Sequence, residues 1–324
     1  MSKEKMFLER YGLTKDISLW LLEKMLEIRL FQERIIKIYP TDVLVTPVHL
    51  HIGEEAVPVG VCAHLKATDT IFFGHRTHGP ALAKGMDMKI LMAELYGRTT
   101  GCSHSYGGSM HVIDPSHGML GSSSIVGGNI SLGVGSALAS KLRNADYISL
   151  SYFGDGATDT GVFWEAINFA ALKKVPVLFV CEDNNLSNVM PKTDHMFLSS
   201  LLPVTEQFMT SFQADGTDVL SVYTTAEKAI KYVRENRKPA FLECKTKRWM
   251  KHQGIEKDDL PYNPIDLQKD CPIRKFEDAL IQHEIIKQQE LQSILNMLEA
   301  RIDEAIEFSV NSPFPNEEEL LKEA

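Results

Sequence analysis

Asp155 and Asn184 lie 29 positions apart, and each stands at the end of a predicted β-strand. Apolar runs over 148–153 and 175–181 lead into them, and apolar residues at helical spacing fill the interval, which predicts one βαβ unit. Because the carboxyl ends of parallel strands meet at one edge of a sheet, both side chains are expected to face the same crevice. A carboxylate and an amide oxygen suit Mg²⁺, which takes its remaining ligands from water and phosphates.

Glycine flanks Asp155 on both sides, which lets a phosphate approach the backbone amides at this strand end. The alternative interpretation is a dinucleotide-binding turn. That turn needs a third glycine where this chain has Asp159. A carboxylate between the glycines also repels a bare pyrophosphate unless a cation lies between them. The segment therefore predicts a metal-bridged diphosphate site.

The same segment belongs to a set of motifs that extends over nearly the full length. The motifs are HLHIGEEAVPVGV, GHRTHGPALAKG, LMAELYGRTTGCS, GGSMHV, SSIVGG, the GDG segment around Asp155, KRWMKHQG and SPFP. GDG followed at this distance by an Asn pair resembles the signature of thiamine-diphosphate enzymes. Together the motifs resemble the alpha subunit of the decarboxylating component of 2-oxo acid dehydrogenase complexes, of the pyruvate or acetoin dehydrogenase type.

The resemblance implies that thiamine diphosphate and Mg²⁺ bind to this chain. The residues that it assigns to cofactor binding are His75, Arg76, Ser124, Val126, Asp155, Gly156, Ala157, Asn184 and Arg248. The metal ligands that it implies are Asp155, Asn184 and Leu186. A diphosphate carries more negative charge than one Mg²⁺ neutralises, and a guanidinium supplies bidentate donors for the excess. Ser124 and Val126 match a segment whose backbone meets the aminopyrimidine ring in the resembled family.

Two histidines match positions near the reactive end of the cofactor. His49 lies in HLHIGEEA and His252 in KRWMKHQG, and the resemblance implies a catalytic role for both. A neutral imidazole can donate or accept a proton at physiological pH, which suits a reaction that develops and discharges charge on its substrate. His51 is interpreted as structural.

Several positions near these motifs leave their role open. The family pattern TYRxxGH has a glycine where this chain has Lys251, and Met250 stands where Arg or His is common, so the conformation of this loop is open. His111 stays open between a functional and a structural role. Glu165 is expected to lie behind the site or to face solvent.

The cofactor's chemistry requires a glutamate that hydrogen-bonds the pyrimidine ring. No segment clearly supplies it, since Glu54 and Glu55 align with a pair that has no such role in the family. The resemblance implies that a separate beta subunit provides this glutamate in an α2β2 heterotetramer. It also implies decarboxylation of a 2-oxo acid and reductive acylation of a lipoyl group on an acyltransferase partner.

Three alternatives stay open. An acetoin dehydrogenase alpha subunit shares the same motifs. A specialised thiamine-diphosphate enzyme that transfers its product to an acceptor other than lipoyl would fit the altered loop around Lys251. A non-enzymatic cofactor-binding or scaffolding subunit is the third, although a scaffold has no need of the full set of site residues.

Composition limits the class of protein. The chain has 324 residues, of which 44% are hydrophobic, enough to bury a full core. No apolar run approaches the ~18 residues of a bilayer span, and the first ten residues are too charged for the core of a signal peptide. Five well-separated cysteines without a CxxC pair favour a reducing compartment and argue against a zinc site built from cysteines. The net charge of −9 argues against nucleic acid or an anionic membrane as the main partner. A cytoplasmic protein is expected.

Predicted strands and helices alternate through the middle of the chain. Strands over 148–153, 175–181 and 239–244 are separated by helical stretches. This order predicts an α/β fold with a doubly wound, mostly parallel sheet, which the resemblance identifies as a thiamine-diphosphate-binding fold. A loop rich in Gly, Ser and His over 101–128 is expected to serve the site.

Amphipathic helices are predicted at both ends of the chain. One covers about 16–39 and ends before Pro40, and the other covers about 276–308. There is no internal repeat and no low-complexity linker. Residues 1–324 are therefore predicted to form a single domain.

Overall fold

The structure is a computed structural model, and it describes residues 2–318. Its helices are α1 (Lys3–Tyr11), α2 (Lys15–Ile38), α3 (Ala56–Cys62), α4 (His78–Lys84), α5 (Met88–Leu95), α6 (Gly128–Leu142), α7 (Gly161–Lys173), α8 (Leu202–Thr205), α9 (Val219–Asn236), α10 (Pro272–Gln282) and α11 (Gln288–Asn311). Its strands are β1 (Thr70–Phe73), β2 (Met119–Ser122), β3 (Ser149–Gly154), β4 (Val177–Asp183), β5 (Leu186–Ser187), β6 (Met190–Pro191), β7 (Thr210–Asp215) and β8 (Ala240–Lys245).

A six-stranded sheet with the order β2-β1-β3-β4-β8-β7 forms the centre of the molecule. All of its strand pairs are parallel, and β5 and β6 form a separate antiparallel pair. The predicted α/β fold with a mostly parallel sheet is confirmed. From β1 the chain first adds β2 on one side and then β3 on the other. This reversal of direction opens a crevice at the carboxyl ends of β1 and β3, where open α/β sheets bind ligands.

Both faces of the sheet are buried, and alternate residues of each strand serve the two faces. In β4, Leu178 and Val180 pack into a large apolar cluster that includes residues of α2, α3 and α9. Val177 and Phe179 pack into a second cluster, with α6 and α7. The result is three layers, with the strand ends fixed by packing on both sides.

Helix α7 connects β3 to β4 and completes the predicted βαβ unit. It buries Phe163, Ala166, Ile167 and Ala170, which recur at three- and four-residue spacing and so lie on one helical face. The helix ends where Lys174 adopts a left-handed conformation with φ of 50°. This crossover brings the carboxyl ends of β3 and β4 to the same edge of the sheet.

The prediction of one helix over about 276–308 is wrong, because α10 and α11 divide that segment. Glu284 lies between them with φ of 60°, a left-handed conformation that ends the first helix. The turn directs Ile285 and Ile286 into the core, where both are buried. At the other end of the chain, α2 occupies the segment predicted over about 16–39, and α1 precedes it without having been predicted.

Strands β1, β2 and β7 of the six-stranded sheet were not predicted either. Strand β2 lies inside the loop predicted over 101–128, and its short sequence MLGS contains a glycine that lowers its strand propensity. Strand β7 is the outermost strand beside β8, and it is only partly buried. Its sequence therefore lacks the continuous apolar run of β3 and β4. Within residues 2–318 no helix combines the length and the apolarity needed to cross a bilayer.

We expect Phe163→Ala to lower the free energy of unfolding by about 3–5 kcal/mol, because it leaves a cavity in the cluster between α7 and the sheet. Phe163 is fully buried and its ring packs near those of Phe153 and Phe241. Phe169 on the same helix is exposed, so the matched Phe169→Ala variant should change the free energy by less than about 1 kcal/mol. Urea unfolding measures both. Equal losses in the two variants would contradict this assignment of the core.

Candidate functional site

A cleft opens at the carboxyl ends of β1, β3 and β4. The predicted site residues that line it are His75, Arg76, Val126, Asp155, Gly156, Ala157, Asn184, Leu186, Arg248 and His252. His49 lies next to this cleft, with its ring centre 4.6 Å from that of His75 and 5.1 Å from that of His252. Ser124 is exposed and is not among the residues that line the cleft. The structure thus brings all but one of the predicted residues together.

Asp155 begins the short turn that follows β3, and its side chain is buried without a partner. The residue is 1% exposed, and neither carboxylate oxygen has a hydrogen-bond partner within residues 2–318. Burial and the nearby charge of Asp183 raise the pKa of Asp155 well above its usual value of 3.8. A buried, unpaired carboxylate is costly, and a cation bound in the cleft would compensate it.

Asn184 and Leu186 follow β4 and form a fixed turn beside Asp155. The Asn184 amide nitrogen donates to Glu54 Oε1 at 3.0 Å, and its Oδ1 accepts the Leu186 N–H at 3.1 Å. A carbonyl oxygen has two lone pairs, so Oδ1 keeps one for a further partner. The amide oxygen, the main-chain oxygen of Leu186 and the Asp155 carboxylate are all hard oxygen donors, as Mg²⁺ requires.

Gly154 and Gly156, on either side of Asp155, serve different structural purposes. Gly154 has φ of −78°, so the turn itself does not need glycine there. A Cβ at Gly154 would meet nothing closer than 3.9 Å, whereas a Cβ at Gly156 would lie 2.7 Å from Ser187 Oγ. Gly156 therefore permits the close packing of the turns after β3 and β4. The space at Gly154 leaves room for a ligand to approach the backbone.

A second acid at this edge, Asp183, is compensated by two lysines. Its Oδ2 accepts from Lys192 Nζ at 2.5 Å and also from Lys245 Nζ. Burial opposes ionisation of Asp183, but the hydrogen bonds from Lys192 and Lys245 outweigh it and hold its pKa below the usual value. The Lys192 N–H also donates to the Asn185 carbonyl at 2.9 Å. Lys192 thus closes the turn that contains Asn184 and Leu186.

Two arginines supply positive charge to the cleft. Arg76 donates to the Leu50 carbonyl and has its Nε 3.6 Å from Glu54 Oε2. Arg248 is 1% exposed, and its Nη2 donates to Asp258 Oδ2 at 2.9 Å. Its Nε has no hydrogen-bond partner within residues 2–318. Each guanidinium therefore keeps donors for an anion in the cleft.

The three histidines of the site are neutral at physiological pH. Burial and the neighbouring Arg76 lower the pKa of His49 to about 3 and that of His75 to about 2. Burial, Arg76 and Arg248 lower the pKa of His252 to about 4. Each ring therefore has one nitrogen that can donate a proton and one that can accept a proton.

The loop that contains Arg248 and His252 has a defined conformation despite its departures from the family pattern. The Lys251 N–H donates to the Glu256 carbonyl at 2.9 Å, and the Asp258 N–H donates to the Trp249 carbonyl at 2.9 Å. Met250 is buried in the main apolar cluster, and Lys251 is an exposed partner of Glu256. These two residues thus stabilise the loop, and neither lines the cleft.

Sequence reasoning missed two carboxylates that line the cleft, Glu54 and Glu182. Glu182 Oε1 lies 2.9 Å from Nε2 of the buried His51, and Glu54 contacts both Asn184 and Arg76. The only signal for Glu182 was its place at the end of β4, beside Asp183.

His111 and Glu165 are both exposed and do not line the cleft.

The completed cleft has two chemically distinct sides. Asp155, Asn184 and Leu186 present oxygen atoms that suit a hard divalent cation. The other side presents guanidinium groups that suit a phosphate or carboxylate, together with neutral imidazoles that suit proton transfer. Such a site can hold a metal-bound diphosphate next to a group that gains and loses charge.

Comparison with known proteins gives one consistent result. The family model described as dehydrogenase E1 component matches residues 23–318. The alpha subunit of acetoin:2,6-dichlorophenolindophenol oxidoreductase from Bacillus subtilis is 39% identical over 97% of this chain and 95% of its own length. The pyruvate dehydrogenase E1 component subunit alpha from Zymomonas mobilis is 36% identical over 96% of this chain and 89% of its own length.

We expect Asp155→Asn to increase the stability of the metal-free protein. The amide carries no charge, so the cost of the buried unpaired group, on the order of 1–3 kcal/mol, is removed. Urea unfolding in the presence of a chelator measures the change. The matched control is Asp159→Asn, because Asp159 is exposed on the same turn and lies beside His195. A free energy of unfolding that is unchanged or lower in Asp155→Asn would show that Asp155 is already compensated.

Replacing Lys192 tests the compensation of Asp183. We expect Lys192→Met to cost about 3–5 kcal/mol, because it removes one partner of a buried ion pair. Lys245 is 33% exposed, so Lys245→Met should cost less. The double variant Asp183→Asn/Lys192→Met should recover most of the loss, since it removes both charges. If urea unfolding shows no recovery in the double variant, the loss does not come from an Asp183 carboxylate that has lost its Lys192 partner.

Proposed function

We propose the function of this chain from one premise: it belongs to the dehydrogenase E1 component family, as the alpha subunit of a thiamine-diphosphate-dependent 2-oxo acid dehydrogenase. Membership of this family makes it an oxidoreductase subunit that works with a beta subunit. Beyond family membership, we propose its substrate, its metal ion and the roles of its site residues. This proposal is supported most directly by Asp155, a buried carboxylate with no partner in a cleft that also presents two guanidinium groups.

Asp155, Asn184 and the main-chain carbonyl of Leu186 are proposed to hold Mg²⁺. All three offer oxygen, and neither oxygen of the Asp155 carboxylate has a hydrogen-bond partner within residues 2–318. Gly156 supports the proposal, because a Cβ there would lie 2.7 Å from Ser187 Oγ, in the turn that follows β4.

Arg76, Arg248 and His75 are proposed to bind the diphosphate of thiamine diphosphate, together with the backbone at Gly156 and Ala157. One Mg²⁺ leaves part of the diphosphate charge uncompensated, and the free donors of the two guanidinium groups match that excess. The segment with Ser124 and Val126 is proposed to face the aminopyrimidine ring through its backbone. When bound, the cofactor supplies the electron sink for decarboxylation.

His49 and His252 are proposed as the catalytic residues of this chain. Both are neutral, so each can accept a proton at one ring nitrogen or donate the proton at the other. Nδ1 of His49 is buried and has no hydrogen-bond partner within residues 2–318, which leaves it available for a substrate group.

The proposed substrate is a 2-oxo acid such as pyruvate, decarboxylated in an α2β2 heterotetramer with reductive acylation of a lipoyl group on an acyltransferase partner. Acetoin is the second candidate, because a relative at 39% identity is named for it. Pyruvate has a carboxylate where acetoin has a neutral 1-hydroxyethyl group, and an assay with both compounds distinguishes the two candidates. We further propose a cytoplasmic location and a single cofactor-binding domain over residues 1–324.

The purified chain alone should show no turnover, because the glutamate that hydrogen-bonds the pyrimidine ring is proposed to come from the beta subunit. Addition of the beta subunit should give activity that requires both thiamine diphosphate and Mg²⁺. A panel of pyruvate, branched 2-oxo acids and acetoin with an artificial electron acceptor measures the substrate, and a lipoyl domain tests the natural acceptor.

Activity with 2-oxo acids and acylation of the lipoyl domain would support the first candidate. Activity with acetoin alone would replace it by the second. Turnover by the chain without any beta subunit would overturn the proposal that it holds only part of the active site.

A further inference from the structure

Three histidines from separate segments converge on one side of the cleft. The rings of His49, His75 and His252 have centre-to-centre distances of 4.6, 5.1 and 5.0 Å. One nitrogen of each ring lies within 4.8 Å of one nitrogen of each of the other two. Between residues 2 and 318 no other group of three or more His, Cys, Asp or Glu side chains shows such spacing.

The backbone holds the three segments in place. The Gly254 N–H donates to the Val48 carbonyl at 2.9 Å, and the Trp249 N–H donates to the Ile52 carbonyl at 3.2 Å. These bonds join the segment around His49 to the loop around His252. His75 lies two residues after the end of β1, which is fixed in the sheet. The imidazoles are therefore positioned by a rigid scaffold, as metal ligands require.

One nitrogen of this cluster has no hydrogen-bond partner among residues 2–318. His49 is buried and its Nδ1 has no hydrogen-bond partner within the described part of the chain. A metal ion among the three rings would satisfy this nitrogen.

The nearby arginines reduce affinity for a cation, but each has a carboxylate partner. Arg76 lies 3.6 Å from Glu54, and Arg248 lies 2.9 Å from Asp258. Pairing with a carboxylate reduces the repulsion that a guanidinium exerts on a nearby dication. The net charge around the imidazoles therefore permits a divalent ion.

We propose that His49, His75 and His252 form a second metal site that binds Zn²⁺ or a similar borderline transition-metal ion. Imidazole nitrogen suits such ions better than it suits Mg²⁺, which prefers the oxygen donors around Asp155. Three protein ligands leave the fourth position of a tetrahedral ion for water or an anion.

Occupation of this site blocks the part of the cleft that contains the proposed catalytic histidines. Zn²⁺ is therefore a regulatory inhibitor of the enzyme, a consequence that rests on the proposed function. Metal binding itself does not rest on it. The zinc site and the proposed function can fail independently, because Zn²⁺ binding is measured without substrate or cofactor.

The test is calorimetric titration of Zn²⁺ into the full chain, purified with its beta subunit and freed of cofactor and divalent ions. The wild type should bind Zn²⁺ at this site, and His75→Gln should weaken that binding at least tenfold. Asp155→Asn should leave it unchanged, because it alters only the oxygen site. The matched control is His117→Gln, since His117 lies on an exposed turn where it contacts Asp114.

Co²⁺ in place of Zn²⁺ gives a spectroscopic readout of the ligands. A four-coordinate ion with nitrogen ligands gives an intense visible absorption, and a six-coordinate ion with oxygen ligands gives a weak one. The intense band should be present in the wild type and lost in both His75→Gln and the less buried His252→Gln. The second variant keeps the test decisive if the first does not fold.

Zn²⁺ affinity that is unchanged in both histidine variants would overturn the proposal. Affinity lost only in Asp155→Asn would overturn it as well, because Zn²⁺ would then occupy the oxygen site. A weak cobalt spectrum in the wild type would also contradict it, since the ion would then lack the four-coordinate nitrogen environment.

Discussion

The structure depends on one buried charge, the carboxylate of Asp155. An anion with no partner in the protein interior opposes folding, so its position at a strand end has to be maintained by the rest of the molecule. Two apolar clusters fix β3 and β4 from both faces, and the crossover helix α7 sets the distance between their ends. At the same edge, Asp183 has two lysine partners. The fold thus compensates one acid completely and leaves the other for a cation.

The same cleft separates two kinds of donor. Oxygen donors come from the turns after β3 and β4, while imidazole and guanidinium groups come from the segment around residue 50, from the end of β1 and from the loop after β8. The parallel sheet makes this possible, because the carboxyl ends of distant strands meet at one edge. A diphosphate bound to a metal needs both kinds of group, and the proposed zinc site uses the nitrogen side alone.

Much of the site could be predicted from the sequence because strand ends are visible in it. Asp155 and Asn184 lie two and three positions after apolar runs, so parallel pairing of the two strands predicts that they meet. Glu54 and Glu182 could not be placed in the same way, since their partners lie 130 and 131 positions away along the chain. The break between α10 and α11 could not be predicted from the sequence either, because charged and apolar residues keep helical spacing through it. Ser124 was assigned to cofactor binding because its segment resembles the family motif. Its exposure depends on the local path of the loop, which the motif does not specify.

The most direct test of the account is calorimetric titration of thiamine diphosphate into the complex of this chain with its beta subunit. With Mg²⁺ present, tight binding is predicted, and a chelator or the Asp155→Ala substitution should each weaken it by at least an order of magnitude, equivalent to about 1.4 kcal/mol. Equal affinity with and without chelator, or full affinity in the Asp155→Ala complex, would contradict the claim that a divalent cation at Asp155 anchors the cofactor.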